Sequence, residues 1–114
     1  MVIRPYIPDT GDLVWLTFEP QAGHEQGGRR PALILSPRAY NAKAQLALAC
    51  PITTQVKGYP FEVEIPPGGI ITGVVLSDHL KNLDWRARKA VFESKAPVAL
   101  VSEVRERLRP LLGY

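Results

Sequence analysis

The stretch His24-Glu25-Gln26-Gly27-Gly28-Arg29-Arg30-Pro31-Ala32-Leu33-Ile34-Leu35-Ser36 joins a polar loop to an apolar run that reads as a buried strand. The Gly27-Gly28 pair lets the loop fold back or approach a ligand closely, because glycine tolerates positive φ. Arg29 and Arg30 follow at the junction, where a strand leaving a core holds guanidinium groups at the surface. A loop carboxylate, Glu25, ahead of paired arginines on a rigid strand suits a phosphate group. A second polar cluster, Thr53-Thr54-Gln55, closes another apolar run, and two strands lying side by side would set Thr53 next to Arg30. Taken singly, each segment also reads as a solvated loop or a turn with local hydrogen bonds. The order of segments along the whole chain decides between the readings.

The remaining reactive residues are few. Two separated histidines, His24 and His79, and one cysteine, Cys50, do not make a metal-ligand set. Cys50, between Ala49 and Pro51, reads as a small buried hydrophobe with no intrachain disulfide partner. A lone loop histidine is more often solvated than catalytic.

Short strands must position these groups. Leu13 to Phe18 is a β-branched and aromatic run of strand length, and Ala32 to Leu35 is a second. Ser36-Pro37 reads as a helix N-cap followed by proline at the first helical position, opening a short turn through Tyr40 and Asn41. Gln45 to Ile52 is a third strand. Phe61-Glu62-Val63-Glu64-Ile65 alternates strictly between apolar and acidic. Thr72 to Leu76 and Ala87 to Phe92 read as further strands. Pro97 to Arg109 is an amphipathic helix, with Leu100, Val101, Val104, Leu108 and Leu111 or Leu112 at helical spacing. Many short strands with one terminal helix predict a mainly β fold, a small bent sheet closing into a barrel. Leu13, Val14 and Trp15 make the first strand apolar on both faces, which demands cover from its own core or from a partner.

The chain of 114 residues is read as a single domain, 1–114, long enough to bury a core without staples. The formal charge is +3. Its distribution is more informative than its total. From Gln21 to Pro60 five basic residues face one acid, and from Lys81 to Lys95 five face two. Brought together, these stretches form a basic face suited to a polyanion. No signal segment and no apolar run of membrane-spanning length is visible, so a soluble cytoplasmic protein is expected, with no membrane association.

The segments in their order resemble the MazF family of toxin endoribonucleases, the PemK-like toxins of bacterial toxin-antitoxin systems. The resemblance runs from Tyr6-Ile7-Pro8-Asp9 and Gly11-Asp12-Leu13-Val14-Trp15 through Glu25-Gln26-Gly27, Arg30-Pro31, Leu35-Ser36-Pro37 and Tyr40-Asn41. It continues through Thr53-Thr54-Gln55, Lys57-Gly58-Tyr59-Pro60-Phe61-Glu62-Val63, Leu76-Ser77-Asp78-His79 and Trp85-Arg86-Ala87-Arg88. It implies an SH3-like barrel, a homodimer, cleavage of single-stranded RNA (mRNA) without metal or cofactor, and inhibition by a small cognate antitoxin. The family's catalytic arginine and threonine fall on Arg30 and Thr53, and its loop glutamate and glutamine on Glu25 and Gln26. His24, Arg29 and His79 depart from family residues near RNA-contacting positions, so the recognised bases are not carried over.

In such chemistry the substrate's 2′-hydroxyl is the nucleophile. Arg30 can neutralise charge developing on the phosphate, Thr53 can hydrogen-bond a non-bridging oxygen, and Glu25 is the general-base candidate, ahead of His24. Gln26, Arg29, Thr54, Gln55, Lys57, Tyr59, His79 and Arg86 are the expected RNA-binding residues. Among the aromatic residues Trp15, Tyr59, Phe61 and Trp85, Tyr59 is the best base-stacking candidate, held in a turn between Gly58 and Pro60. Two other classes remain open: a non-catalytic toxin that poisons gyrase from the same barrel, and an RNA-binding module without activity.

Overall fold

In the computed structural model, which describes residues 5–18 and 28–114, the apolar alternations become short strands. In chain order these are β1 (Asp12–Thr17), β2 (Arg29–Ile34), helix α1 (Arg38–Ala44), β3 (Ala47–Thr53), β4 (Glu62–Glu64), β5 (Val74–Leu76), β6 (Lys81–Leu83), β7 (Val91–Lys95) and helix α2 (Val98–Leu108). Among the described residues they form one antiparallel sheet in the order β4-β5-β3-β2-β1-β7, with β6 also paired to β3. The architecture is mainly β with a short helix and a C-terminal helix, in line with the sequence. No helix among the described residues is long and apolar enough to cross a membrane.

β1 is apolar on both faces because the sheet carries a core on each. Leu13 and the half-buried Trp15 pack with Leu33, Cys50, Ile52 and the α2 stripe of Leu100, Val101, Val104 and Leu108. Val14 and Leu16 pack with Ala32, Ile34, Ala49 and Trp85 on the other side. Each such side chain fully buried is worth roughly 1.5–3 kcal/mol. The chain therefore covers both faces itself, and this strand is not a reason to invoke a second subunit. The two indoles are likewise committed. Trp15 donates to Glu93 Oε1 at 3.0 Å, and the buried Trp85 donates to the Asn41 carbonyl at 3.0 Å. Neither is presented for stacking.

Three local expectations are corrected. Pro37, not Ser36, is the N-cap of α1, and it supplies no side-chain cap hydrogen bond. Instead Asp9 reaches across, its Oδ1 accepting the Arg38 N–H at 2.9 Å and the Thr10 N–H at 2.8 Å. The Arg38 hydrogen bond is the main cause that holds the Asp9 carboxyl below the usual carboxylate range. Ser36 is used elsewhere. Its hydroxyl donates to Asn41 Oδ1 at 2.6 Å and accepts from the Leu48 N–H at 2.8 Å, while Asn41 Nδ2 donates to the Pro8 carbonyl at 2.8 Å.

The strand expected over Ala87 to Phe92 is instead β7, four residues further along. Asp84 diverts the chain first: its Oδ1 accepts the Ala87 N–H at 2.9 Å, and Arg88 N–H returns to the Asp84 carbonyl at 3.0 Å. Leu111 and Leu112 do not join the α2 stripe. Pro110 opens a separate 3₁₀ turn, Pro110–Leu112, that leaves both leucines exposed. Cys50 is fully buried, and burial pushes its thiol up to about 12, so it is inert as a nucleophile.

Candidate functional site

Strand register brings the two chemical clusters together. The β2–β3 pairing sets Ala32 opposite Pro51, Leu33 opposite Cys50 and Ile34 opposite Ala49. Arg30 and Thr53 lie two residues beyond the pairing of Ala32 with Pro51, on the same face as those two residues because strand side chains alternate. Both residues line one groove of ≈ 460 Å³, together with Gly28, Gln55, Lys57, Tyr59 and His79. Among the described residues Arg30 has no hydrogen-bond or ion-pair partner, so its donor fork is open to a ligand. Thr53 Oγ1 accepts the Gln55 N–H at 3.1 Å, which orients the hydroxyl and leaves its proton to donate outward. Tyr59 is 60% exposed on the groove wall.

The expected residues do not all arrive. Thr54 and Arg86 are exposed but lie outside the groove lining. Glu25 and Gln26, with His24, lie outside the described residues. Arg29, also expected as an RNA contact, is exposed but lies outside the groove lining, and its guanidinium is engaged within the fold. Its Nη1 donates to Thr17 Oγ1 at 2.9 Å and to the Arg88 carbonyl at 3.0 Å, and its Nη2 donates to the carbonyls of Trp15 and Lys89. It pins the turn ahead of β7 against β1. Adjacent strand residues point to opposite faces, so the paired arginines cannot share one task.

Sequence reasoning missed Lys81, Asp78, Glu62 and Phe18 in the lining. The first two arrive through an irregularity in the sheet. β5 pairs Ile52 and Thr53, and β6 pairs Ala47 to Ala49, on the same edge of β3 but with the register slipped by three residues. The extra residues form a 3₁₀ turn, Ser77–His79, anchored by the Ser77 N–H on the Phe61 carbonyl at 3.0 Å. That turn presents Asp78 and His79, with 3.8 Å between His79 Nε2 and Asp78 Oδ1. Lys81 follows, its Nζ 6.0 Å from the Phe18 ring centroid, within cation–π range. The run Asp78-His79-Leu80-Lys81 directly after an apolar strand was the available signal.

Arg30, Lys57 and Lys81 outnumber Asp78 and Glu62, and the Glu62 carboxylate is already engaged by the N–H groups of Lys57 and Gly58. A positively charged groove walled by an aromatic ring suits a single-stranded polyanion. Among the described residues no three His, Cys, Asp or Glu side chains cluster to hold a metal ion.

A small mainly β domain with such a groove is a class with known members. Residues 9–112 match the model of the PemK-like, MazF-like toxins of type II toxin-antitoxin systems. The chain is 42% identical over 112 residues to the endoribonuclease toxin MazF of Escherichia coli K12, covering 98% of this chain and 100% of that one. It is 33% identical to the endoribonuclease PemK of Escherichia coli, covering 98% and 87% of the two chains. Among solved structures it is similar to MazF of Deinococcus radiodurans, with a TM-score of 0.88, 57% identity, and 96% and 100% of the two chains covered. A MazE–MazF crystal structure from the same organism matches with a TM-score of 0.86 and 51% identity, over 96% and 98%. The chain belongs to the PemK-like, MazF-like family of type II toxins.

Proposed function

We propose that this toxin is an endoribonuclease that cleaves single-stranded RNA without a metal, using the substrate's own 2′-hydroxyl. The observation that carries the proposal is that Arg30 and Thr53 line one positively charged groove. The 2′-oxygen attacks phosphorus, the bond to the 5′-oxygen breaks, and that oxygen leaves with a proton. Arg30 stabilises the charge accumulating on the phosphate, and Thr53 holds a non-bridging oxygen. Glu25 takes the 2′-hydroxyl proton, with Gln26 orienting the substrate. Gln55, Lys57, Tyr59 and His79 hold the flanking nucleotides. Two relatives that are themselves endoribonucleases by name support this reading over gyrase poisoning or RNA binding alone.

Cleavage of a mixed RNA pool should survive EDTA and yield a 5′-hydroxyl on one fragment and a 2′,3′-cyclic phosphate on the other. A strict magnesium requirement, or 5′-phosphate products, defeats the mechanism. An acidic antitoxin acting in the cytoplasm is the expected inhibitor, in keeping with the MazE–MazF assemblies of the Deinococcus relative. A homodimer is the proposed assembly. Sedimentation at micromolar concentration should show it, and a monomer that cleaves RNA fully would refute the need for it.

A further inference from the structure

We propose that Glu62 is a positioning residue for RNA binding: its carboxylate shapes the turn that carries Lys57 and Tyr59 into the groove. The inference rests on the reading of that groove as an RNA site, and assigns a task to an acid that simple electrostatics would count as harmful there.

Lys57 and Tyr59 sit in a segment without regular secondary structure, between β3 and β4, where every residue from Val56 to Pro60 is exposed. Such a segment has no ladder to hold it. Glu62 supplies the hold from the first position of β4. Its Oε1 accepts the Gly58 N–H at 2.9 Å and the Lys57 N–H at 3.2 Å, while Oε2 lies 3.1 Å from the same Lys57 nitrogen. The Glu62 N–H in turn donates to the Tyr59 carbonyl at 3.1 Å, which closes the turn on itself. Arg107 of α2 adds a strut from behind. It is held by Glu103 and donates to the Pro60 carbonyl. Hydrogen bonds to an ionised acceptor are about twice as strong as neutral ones. The carboxylate keeps its negative charge but turns its lone pairs to the turn, and its favourable contribution to binding is the reduced entropy of the side chains it fixes.

The two roles open to Glu62 predict opposite signs. If it acts as a groove anion, Glu62→Ala and Glu62→Gln both tighten RNA, most at low salt. If it is a positioning residue, Glu62→Ala weakens single-stranded RNA on the order of tenfold, the equivalent of one charge-assisted contact. Glu62→Gln should then fall between the parent and Glu62→Ala, because an amide oxygen at the Oε1 position still accepts the Gly58 and Lys57 N–H groups, without the charge and without the Oε2 acceptor. The measurement is RNA affinity by fluorescence anisotropy across a salt series, on folded protein verified by circular dichroism. Amide hydrogen exchange on the wild-type chain gives a second readout that needs no variant: Lys57 and Gly58 should be protected relative to Val56. Tighter binding by both variants, or unprotected amides, overturns the positioning role. Failure of the wild-type chain to bind RNA overturns the groove assignment and this proposal with it.

Discussion

Arg30→Ala should lower the rate of RNA cleavage at saturating substrate by about 10²–10³-fold or more while leaving the fold intact, the loss typical of one transition-state charge donor, roughly 2.7–4 kcal/mol. The fold survives because Arg30 is exposed and has no partner among the described residues. Arg29→Ala should do the reverse. It removes four donor contacts to Thr17, Trp15, Arg88 and Lys89, and with them the clamp between β1 and the turn before β7. A cost of about 1–2 kcal/mol in unfolding free energy is expected, with cleavage per folded molecule close to that of the parent. Single-turnover kinetics beside denaturant melts separate the two effects. Equal catalytic losses in two fully folded variants would show that the face assignment of the pair is wrong.

That contrast marks where sequence reading succeeds and where it stops. The β-branched and aromatic run from Leu13 to Phe18 and the 3.6-residue stripe along Leu100 to Leu108 are local properties, so β1 and α2 were legible. The meeting of Arg30 with Thr53 was also within reach, because both end apolar runs that pair. What the apolar character of β1 meant was not. A strand buried between two cores of its own chain and one covered by a partner have the same sequence pattern, and only the long-range packing of Trp85 and α2 distinguishes them.

The remaining misses share a cause. The roles of Arg29 and Glu62 are set by backbone groups distant or adjacent in the fold that carry no residue-type signature. Arg29 meets carbonyls nearly 60 positions away, and Glu62 meets the N–H groups of a turn. β6 was hidden because it has only three residues, and its placement follows from a register slip that no composition announces. Asp84, a single short acceptor, moved the start of β7 by opening a turn ahead of it. For Arg29, Glu62 and Asp84 the deciding contact is a hydrogen bond between a side chain and the backbone.

Gly73→Ala should destabilise the chain by about 3 kcal/mol or more, lowering the melting temperature by over about 10 °C. Gly73 has φ +110°, and a Cβ there would stand 2.1 Å from the Thr53 carbonyl oxygen and 2.8 Å from its carbonyl carbon. The conformation alone costs of order 1–3 kcal/mol for any other residue. The clash adds to it because both sides are backbone: the Gly73 carbonyl accepts the Ile65 N–H at 2.9 Å, and the next residue, Val74, is paired with Thr53. Relief requires β5 to part from β3 at Thr53, which lines the groove with Arg30. Gly68→Ala is the matching control, with φ +117° and no atom within 4 Å of the added methyl, so it carries the conformational cost without the clash. Thermal melts should therefore rank Gly73→Ala well below Gly68→Ala. Cleavage per folded molecule should fall only in the former, because only there does the Thr53 backbone move. Matching melts and matching activities for the two variants would show that the close approach of Gly73 does not position the threonine.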